Sequence, residues 1–189
     1  MEPLAALARA SAGYERRLMS VSDNHWDRPS VCDGWSIRDV ADHVLGGNRF
    51  AVGLLAGQSA DEALAHAMEP GFDDDPVVSY RASATAQHDA FAAAGALEHV
   101  VHHPAGEIDG SHFLGFRLGD LVLHGWDIAR SIGSDETLDE ELLLAVWNAY
   151  QPILSAADER WAFGDGSSGN VPDDAPLWLR LLDLTGRRP

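Results

Sequence analysis

Apolar residues return every three or four positions through several stretches of this chain, the spacing of helices that each bury one face. Leu4, Leu7, Ala8, Ala12, Tyr14, Leu18 and Val21 predict a first helix over residues 3–22. A loop follows with Asn24, Pro29, Asp33 and Gly34. Ser36 then stands where an N-cap belongs, and Asp39 three residues on forms a weak capping box. Ile37, Val40, Val44, Leu45, Phe50, Leu54 and Leu55 continue a second helix to Gly57. Its Gly46-Gly47 pair costs about 1 kcal/mol per glycine against alanine, so close packing or room for a ligand is needed to explain it.

Residues 58–75 are polar and acidic and read as a long connection with a short helical piece at 61–68, ending in Asp73-Asp74-Asp75-Pro76. Pro76 suits the first turn of a third helix, to Ala94, with Val77, Tyr80, Ala84, Gln87, His88 and Phe91 on one side. From Leu97 to His112 helical period is lost around Pro104, Gly106 and Gly110, which predicts an extended excursion or irregular loop. A fourth helix covers 113–132, with Phe116, Leu118, Leu121, Val122, Ile128 and Ala129 as its stripe and Gly133 as its stop. A fifth runs over 139–156, where Pro152 predicts a kink. After a flexible loop at 164–170, a short helix at 176–184 is closed by Gly186. No segment reads as a core strand. The pattern predicts an all-α four-helix bundle with extra C-terminal helices.

Length and composition fit one globular domain over 1–189, with 46% hydrophobic and 23% charged residues. Thirty acids against 13 bases give a net charge of −17, which opposes binding to nucleic acid and to anionic lipid. The lone Cys32 precludes an intramolecular disulfide and fits a reducing cytoplasm. The N-terminus reads as a helix start rather than a signal peptide, and no apolar run approaches the roughly 20 residues of a membrane span. These features predict a cytoplasmic protein with no nucleic-acid or membrane partner; exposed bundle faces leave a homodimer open.

The chemistry concentrates on two of the helices. Asp120 and His124 are four residues apart, so both side chains reach the same point beside the fourth helix. His43 faces them from the second helix if the bundle brings the two together. Two imidazoles and a carboxylate make a three-ligand divalent-metal site with positions left for water or substrate. Zinc suits that set first; nickel, iron and manganese are alternatives. Several rivals compete. Asp39 shares the four-residue spacing with His43, or caps its helix. Asp127 follows His124 by three and is a ligand, an acceptor that orients the imidazole, or a surface partner of Arg130. His99, His102, His103 and His112 form a second cluster in an irregular stretch, and Cys32 is a soft ligand candidate or a half-buried free thiol. Trp35, Phe50 and Trp126 are candidate pocket walls, and His88 a candidate proton carrier. There is no phosphate loop, no Gly-x-Ser-x-Gly elbow and no His-Glu-x-x-His run.

The segment Gly34-Trp35-Ser36-Ile37-Arg38-Asp39-Val40-Ala41-Asp42-His43-Val44 resembles a motif of the mycothiol-dependent maleylpyruvate isomerase N-terminal family, within the DinB-like superfamily of metal-binding four-helix bundles. Residues Asp120–Arg130 resemble its second motif. The tail, with Val171–Pro176 and Leu181–Arg187, resembles a single-domain subfamily described as metal-binding. The resemblance implies His43, Asp120 and His124 as metal ligands. Asp120 occupies a position where the family's isomerase has glutamate and many relatives histidine. It also implies mycothiol as a thiol partner. The additional C-terminal domain of the isomerase has no room in 189 residues, so maleylpyruvate isomerase activity itself is not expected. The leading expectation is a metal-dependent, thiol-dependent transferase or isomerase acting on a small electrophile. A non-catalytic metal- or small-ligand-binding stress protein is the alternative, and a metal-free helical interaction module the third reading.

Overall fold

The computed structural model describes residues 1–69, 75–104, 106–155 and 166–189, with backbone alone for 151–155. Seven helices and one hairpin follow in the order α1 (Pro3–Leu18), α2 (Ile37–Leu55), α3 (Ala60–Ala67), α4 (Pro76–Ala92), β1 (Val100–His103), β2 (Gly106–Asp109), α5 (Gly110–Ile132), α6 (Glu140–Ser155) and α7 (Leu177–Leu184).

Four of these helices make the bundle: α1 packs on α4 and α5, and α2 packs on α4 and α5. Their stripes supply the core, including Leu7, Tyr14, Leu18, Ile37, Val44, Leu45, Leu54, Tyr80, Phe91, Leu121 and Ile128. Helix α6 lies against α5, and α7 packs on α6 and adds Leu181 and Leu182 to the same core. The architecture is therefore the all-α four-helix bundle with C-terminal additions that the periodicity predicts.

Local chemistry sets the helix ends. Ser36 and Asp39 form a full capping box on α2, and Ser59 and Glu62 form another on α3. Asp75 caps α4 by accepting from the amides of Val77 and Val78, with Pro76 in the first turn. Gly133, at φ +67°, ends α5 in the left-handed conformation that glycine adopts without strain. Asp73 and Asp74 of the acidic run, Ala156, and the Gly164-Asp165 start of the flexible loop lie outside the described residues, as does the side chain of Pro152.

Three differences from the pattern have simple causes. Helix α1 stops at Leu18 rather than residue 22, because Met19 and Ser20 turn the chain away while Val21 still packs on the core. Helix α5 begins three residues early, at Gly110, because Asp109 caps it by accepting from the His112 amide. The stretch after α4 is a small antiparallel hairpin, Val100 opposite Asp109 and His103 opposite Gly106, resting on α2 and α5. Its strands are four residues long and mostly exposed, and only Val101 is fully buried, so no alternating pattern marks them.

Candidate metal centre

Helices α2 and α5 lie side by side, and that contact decides the site. The Ser36–Asp39 box fixes where α2 begins and so fixes the phase at which His43 leaves the helix one turn later. On α5, Asp120 and His124 stand one turn apart beneath it. Nε2 of His43 is 3.9 Å from Oδ2 of Asp120, and the His43 and His124 rings meet edge to face at 4.9 Å between centroids. One donor atom from each of the three lies within 4.8 Å of the other two. A tetrahedral ion with ligands at roughly 2.1 Å sets its donors about 3.4 Å apart, so small side-chain rotations would close the set.

Asp127 fixes the orientation of His124. Its carboxylate, 0% exposed, accepts from Nδ1 of His124 at 2.9 Å, which leaves Nε2 with its lone pair free toward the ligand cluster. The same carboxylate takes a two-pronged bond from Arg187 near the chain's C-terminal end, Nε to Oδ1 at 2.8 Å and Nη2 to Oδ2 at 2.6 Å. The Cys32 thiol also donates to Oδ2, at 3.3 Å. Burial works against ionising Asp127, yet His124 and Arg187 outweigh it and hold the carboxyl well below its usual range. Burial keeps His124 below its usual range as well, partly offset by Asp127, so the neutral, ligating form prevails at neutral pH. Cys32 is pushed up to about 12, first by burial and then by the Asp127 charge. Asp127 is thus the orienting acceptor; its surface pairing with Arg130 is not found, since Arg130 bonds Glu136 instead.

Arg117, one turn before Asp120, was not marked by any sequence motif. Its side chain is only 4% exposed and is held on every side. Nε donates to Gln87 of α4, Nη2 to the Val44 carbonyl and Asn48 of α2, and Nη1 to Asp120. The guanidinium lies against Gly47, where a Cβ would stand 2.6 Å from its Cζ. At Gly46 a Cβ would come 2.6 Å from the Ala67 carbonyl oxygen of α3. The glycine pair therefore serves close packing. Burial pushes Asp120 upward, but Arg117, then His43 and His124, hold it well below the ordinary carboxylate range. An ionised carboxylate has about four acceptor positions, so its bond to Arg117 leaves capacity for a cation.

Above the triad opens a cleft of about 810 Å³. His43 and Asp120 line its floor beside Arg117, α3 and its C-cap contribute Leu64 and Met68, and the hairpin contributes His103 and Pro104. Trp35 lies against both histidines, tilted at 5.1 Å from His43 and stacked at 6.1 Å from His124 between centroids. Phe50 is a second wall, whereas Trp126 is buried elsewhere beneath Arg130.

The rival candidates separate clearly. Asp39 lines the cleft, but its carboxylate serves the cap through Ser36. His103 is packed among Phe50, Phe113 and Phe116, and burial lowers its pKa. His102 faces Glu107, His112 faces Asp109, and neither belongs to a metal-sized cluster among the described residues. His88 sits beside Asp89, away from the cleft. Cys32, His124 and Asp127 also lie close enough for an ion, but Arg187 already neutralises that carboxylate. No described helix is long and apolar enough to cross a membrane.

Comparison with known proteins places this geometry. The profile of the family described as mycothiol maleylpyruvate isomerase N-terminal domain matches residues 7–129, a span that holds His43, Asp120 and His124. Uncharacterised proteins from two strains of Mycobacterium tuberculosis are each 34% identical over 142 residues, 75% of this chain and 74% of theirs. The crystal structure of the mycothiol-dependent maleylpyruvate isomerase superposes with a TM-score of 0.56 at 18% identity over 76% of this chain, and a histidine-to-alanine mutant of that enzyme does so equally. The match spans 65% of the isomerase's own length, and at that identity it speaks for the fold.

Proposed function

Because the chain belongs to the mycothiol maleylpyruvate isomerase N-terminal domain family, with its DinB-like bundle, we propose that it is a divalent-metal protein in which His43, Asp120 and His124 hold the ion. We further infer that it acts as a thiol-dependent transferase or isomerase on a small electrophile, with mycothiol as the thiol, and that residues 1–189 work as one domain. The observation that carries this reading is the meeting of two imidazoles and one carboxylate, with His43 and Asp120 facing a cleft large enough for a small molecule and His124 packed against them.

The donor chemistry fits a metal. His124 is neutral and its tautomer is set by Asp127; Asp120 is ionised and steadied by Arg117; His43 is half-exposed and turned toward both. Zinc is the first choice for a set of two nitrogens and one oxygen, ahead of nickel, iron and manganese. A bound ion would supply Lewis acidity and favour the thiolate form of a thiol at neutral pH. The chain's own residues do the rest. Trp35 lies against both imidazoles, and apolar walls line the space where thiol and electrophile would meet. Arg117 holds the Asp120 oxygen in place, and the Asp127–Arg187 pair keeps the His124 ring from turning.

The test is elemental analysis of untagged wild type, His43→Ala and His124→Ala, followed by turnover with mycothiol and a panel of electrophiles. Stoichiometric metal in wild type and its loss in both variants is the expected result. Unchanged metal in both variants refutes the site. Metal and ligand binding without turnover assigns the chain to the non-catalytic alternative.

A further inference from the structure

The cleft above the triad has a distinct character. Its walls are apolar: Trp35, Phe50, Phe113, Phe116, Leu64 and Met68 all face it, and Leu64 and Met68 remain exposed at its edge. Its charged groups are nearly all acidic. Asp39, Asp42 and Glu69 line it together with Asp120. Arg117 is the one cationic side chain among the described lining residues, and Asp120, Gln87, Asn48 and the Val44 carbonyl already engage its guanidinium. Among the described lining residues an anionic guest therefore finds no uncommitted arginine or lysine, and meets three further carboxylates.

Maleylpyruvate, the compound for which the structurally similar isomerase is named, is a dicarboxylate. Such a molecule needs cationic partners to offset the loss of its hydration. From the lining of the cleft we infer that this chain selects apolar molecules that carry no negative charge, neutral or cationic, and rejects dicarboxylates. The inference rests on the cleft being the substrate site proposed above. It is independent of which metal the triad holds, because the walls and the rim carboxylates belong to other side chains. It assigns specificity to Asp42 and Glu69, which stand at the cleft without being candidate ligands.

Three unreactive probes of one shape test it: 2-naphthylmethanol, 2-naphthylmethylamine and 2-naphthoate, titrated into metal-free and zinc-loaded protein by calorimetry. The alcohol and the ammonium are expected to bind at least about tenfold more tightly than the carboxylate in the metal-free form, equal to about 1.4 kcal/mol. The Asp42→Asn/Glu69→Gln variant is expected to narrow the ratio of ammonium to carboxylate affinity several-fold. Glu69→Gln alone, at an exposed position, serves if the double variant does not fold. Equal or tighter binding of the carboxylate to the metal-free protein overturns the inference, as does an unchanged ratio in the variants, or no binding of any probe. Metal-free titration keeps this outcome separate from the metal assignment: loss of the site in the elemental analysis leaves the probe ratios to be read on their own, and the reverse holds equally.

Discussion

Replacing Asp127 by asparagine keeps the shape of the side chain and removes its charge, and two separable effects follow. The first concerns the fold. Asp127 is fully buried and pairs with Arg187, itself mostly buried. Removing one partner of such a pair costs about 3–5 kcal/mol, because the remaining charge stays in a poorly solvating place. For a domain of this size each kcal/mol moves Tm by roughly 2–4 °C, so the variant should melt roughly 6–20 °C below wild type. The second effect concerns the metal. Asparagine replaces a carboxylate that can only accept with an amide that can also turn its NH2 toward Nδ1, so the tautomer of His124 is no longer fixed, and loss of such a partner weakens metal affinity roughly 10–100-fold. Thermal unfolding of the metal-free protein reads the first effect, and competitive zinc titration of the folded protein reads the second. The double variant Asp127→Asn/Arg187→Met separates them. With both charges gone the melting temperature should recover most of its loss, while the zinc affinity should stay low. If Asp127→Asn alone melts with wild type and binds zinc as tightly, the orienting role and the buried pair are both refuted. If the double variant regains zinc affinity along with stability, the affinity loss came from a loosened fold rather than from His124.

Three further outcomes follow from the packing and the charges. Gly47→Ala gains roughly 1 kcal/mol of helix propensity but drives a Cβ into a guanidinium fixed by four partners, so overpacking of about 1–3 kcal/mol should win; urea denaturation showing a net stabilisation would refute the packing argument. Asp183 accepts from Ser167, the Ser168 amide and Arg188, and although burial opposes ionisation these partners lower its pKa. A depressed folded pKa stabilises fully above the unfolded value near 4 and is lost as pH falls through the folded one; Asp183→Asn should therefore flatten the acid limb of stability against pH and leave the neutral region with a constant deficit. Arg117→Lys keeps one charge but cannot make the four-way set of bonds, so zinc affinity and stability should both fall, with affinity down roughly tenfold on direct titration.

The sequence carried the helices and the Asp120/His124 pair because both depend on short-range spacing, while His43 joined that pair through the resemblance of its motif. The Ser36–Asp39 box, the four-residue step from Asp120 to His124 and the glycine after Ile132 can be read without knowing the fold. Arg117 and Arg187 could not be read that way. Arg117 gains its meaning from α2 and α4, which close around it from positions 69 to 73 and 30 residues away. Arg187 reaches Asp127 across 60 residues from an otherwise polar tail. An arginine among the apolar residues of Phe113–Leu118 was the one available signal for Arg117, since a charge on a buried stripe requires partners. The Gly46-Gly47 pair signalled close approach but not its partner, which α3 and Arg117 supply in three dimensions. The hairpin was legible only as one of two alternatives, an extended excursion or an irregular loop, because each strand is four residues and presents one buried residue at most, too little for alternation to register.

Cys32 shares Asp127 with His124, and it is absent from the cleft lining. A sulfur with its pKa near 12 is almost wholly protonated in the cell, and a protonated thiol is a feeble nucleophile. The arrangement keeps the chain's only sulfhydryl out of competition with any thiol that enters the cleft. Under the proposed function, it would also spare the protein from being alkylated at that sulfur by an electrophile held in the cleft.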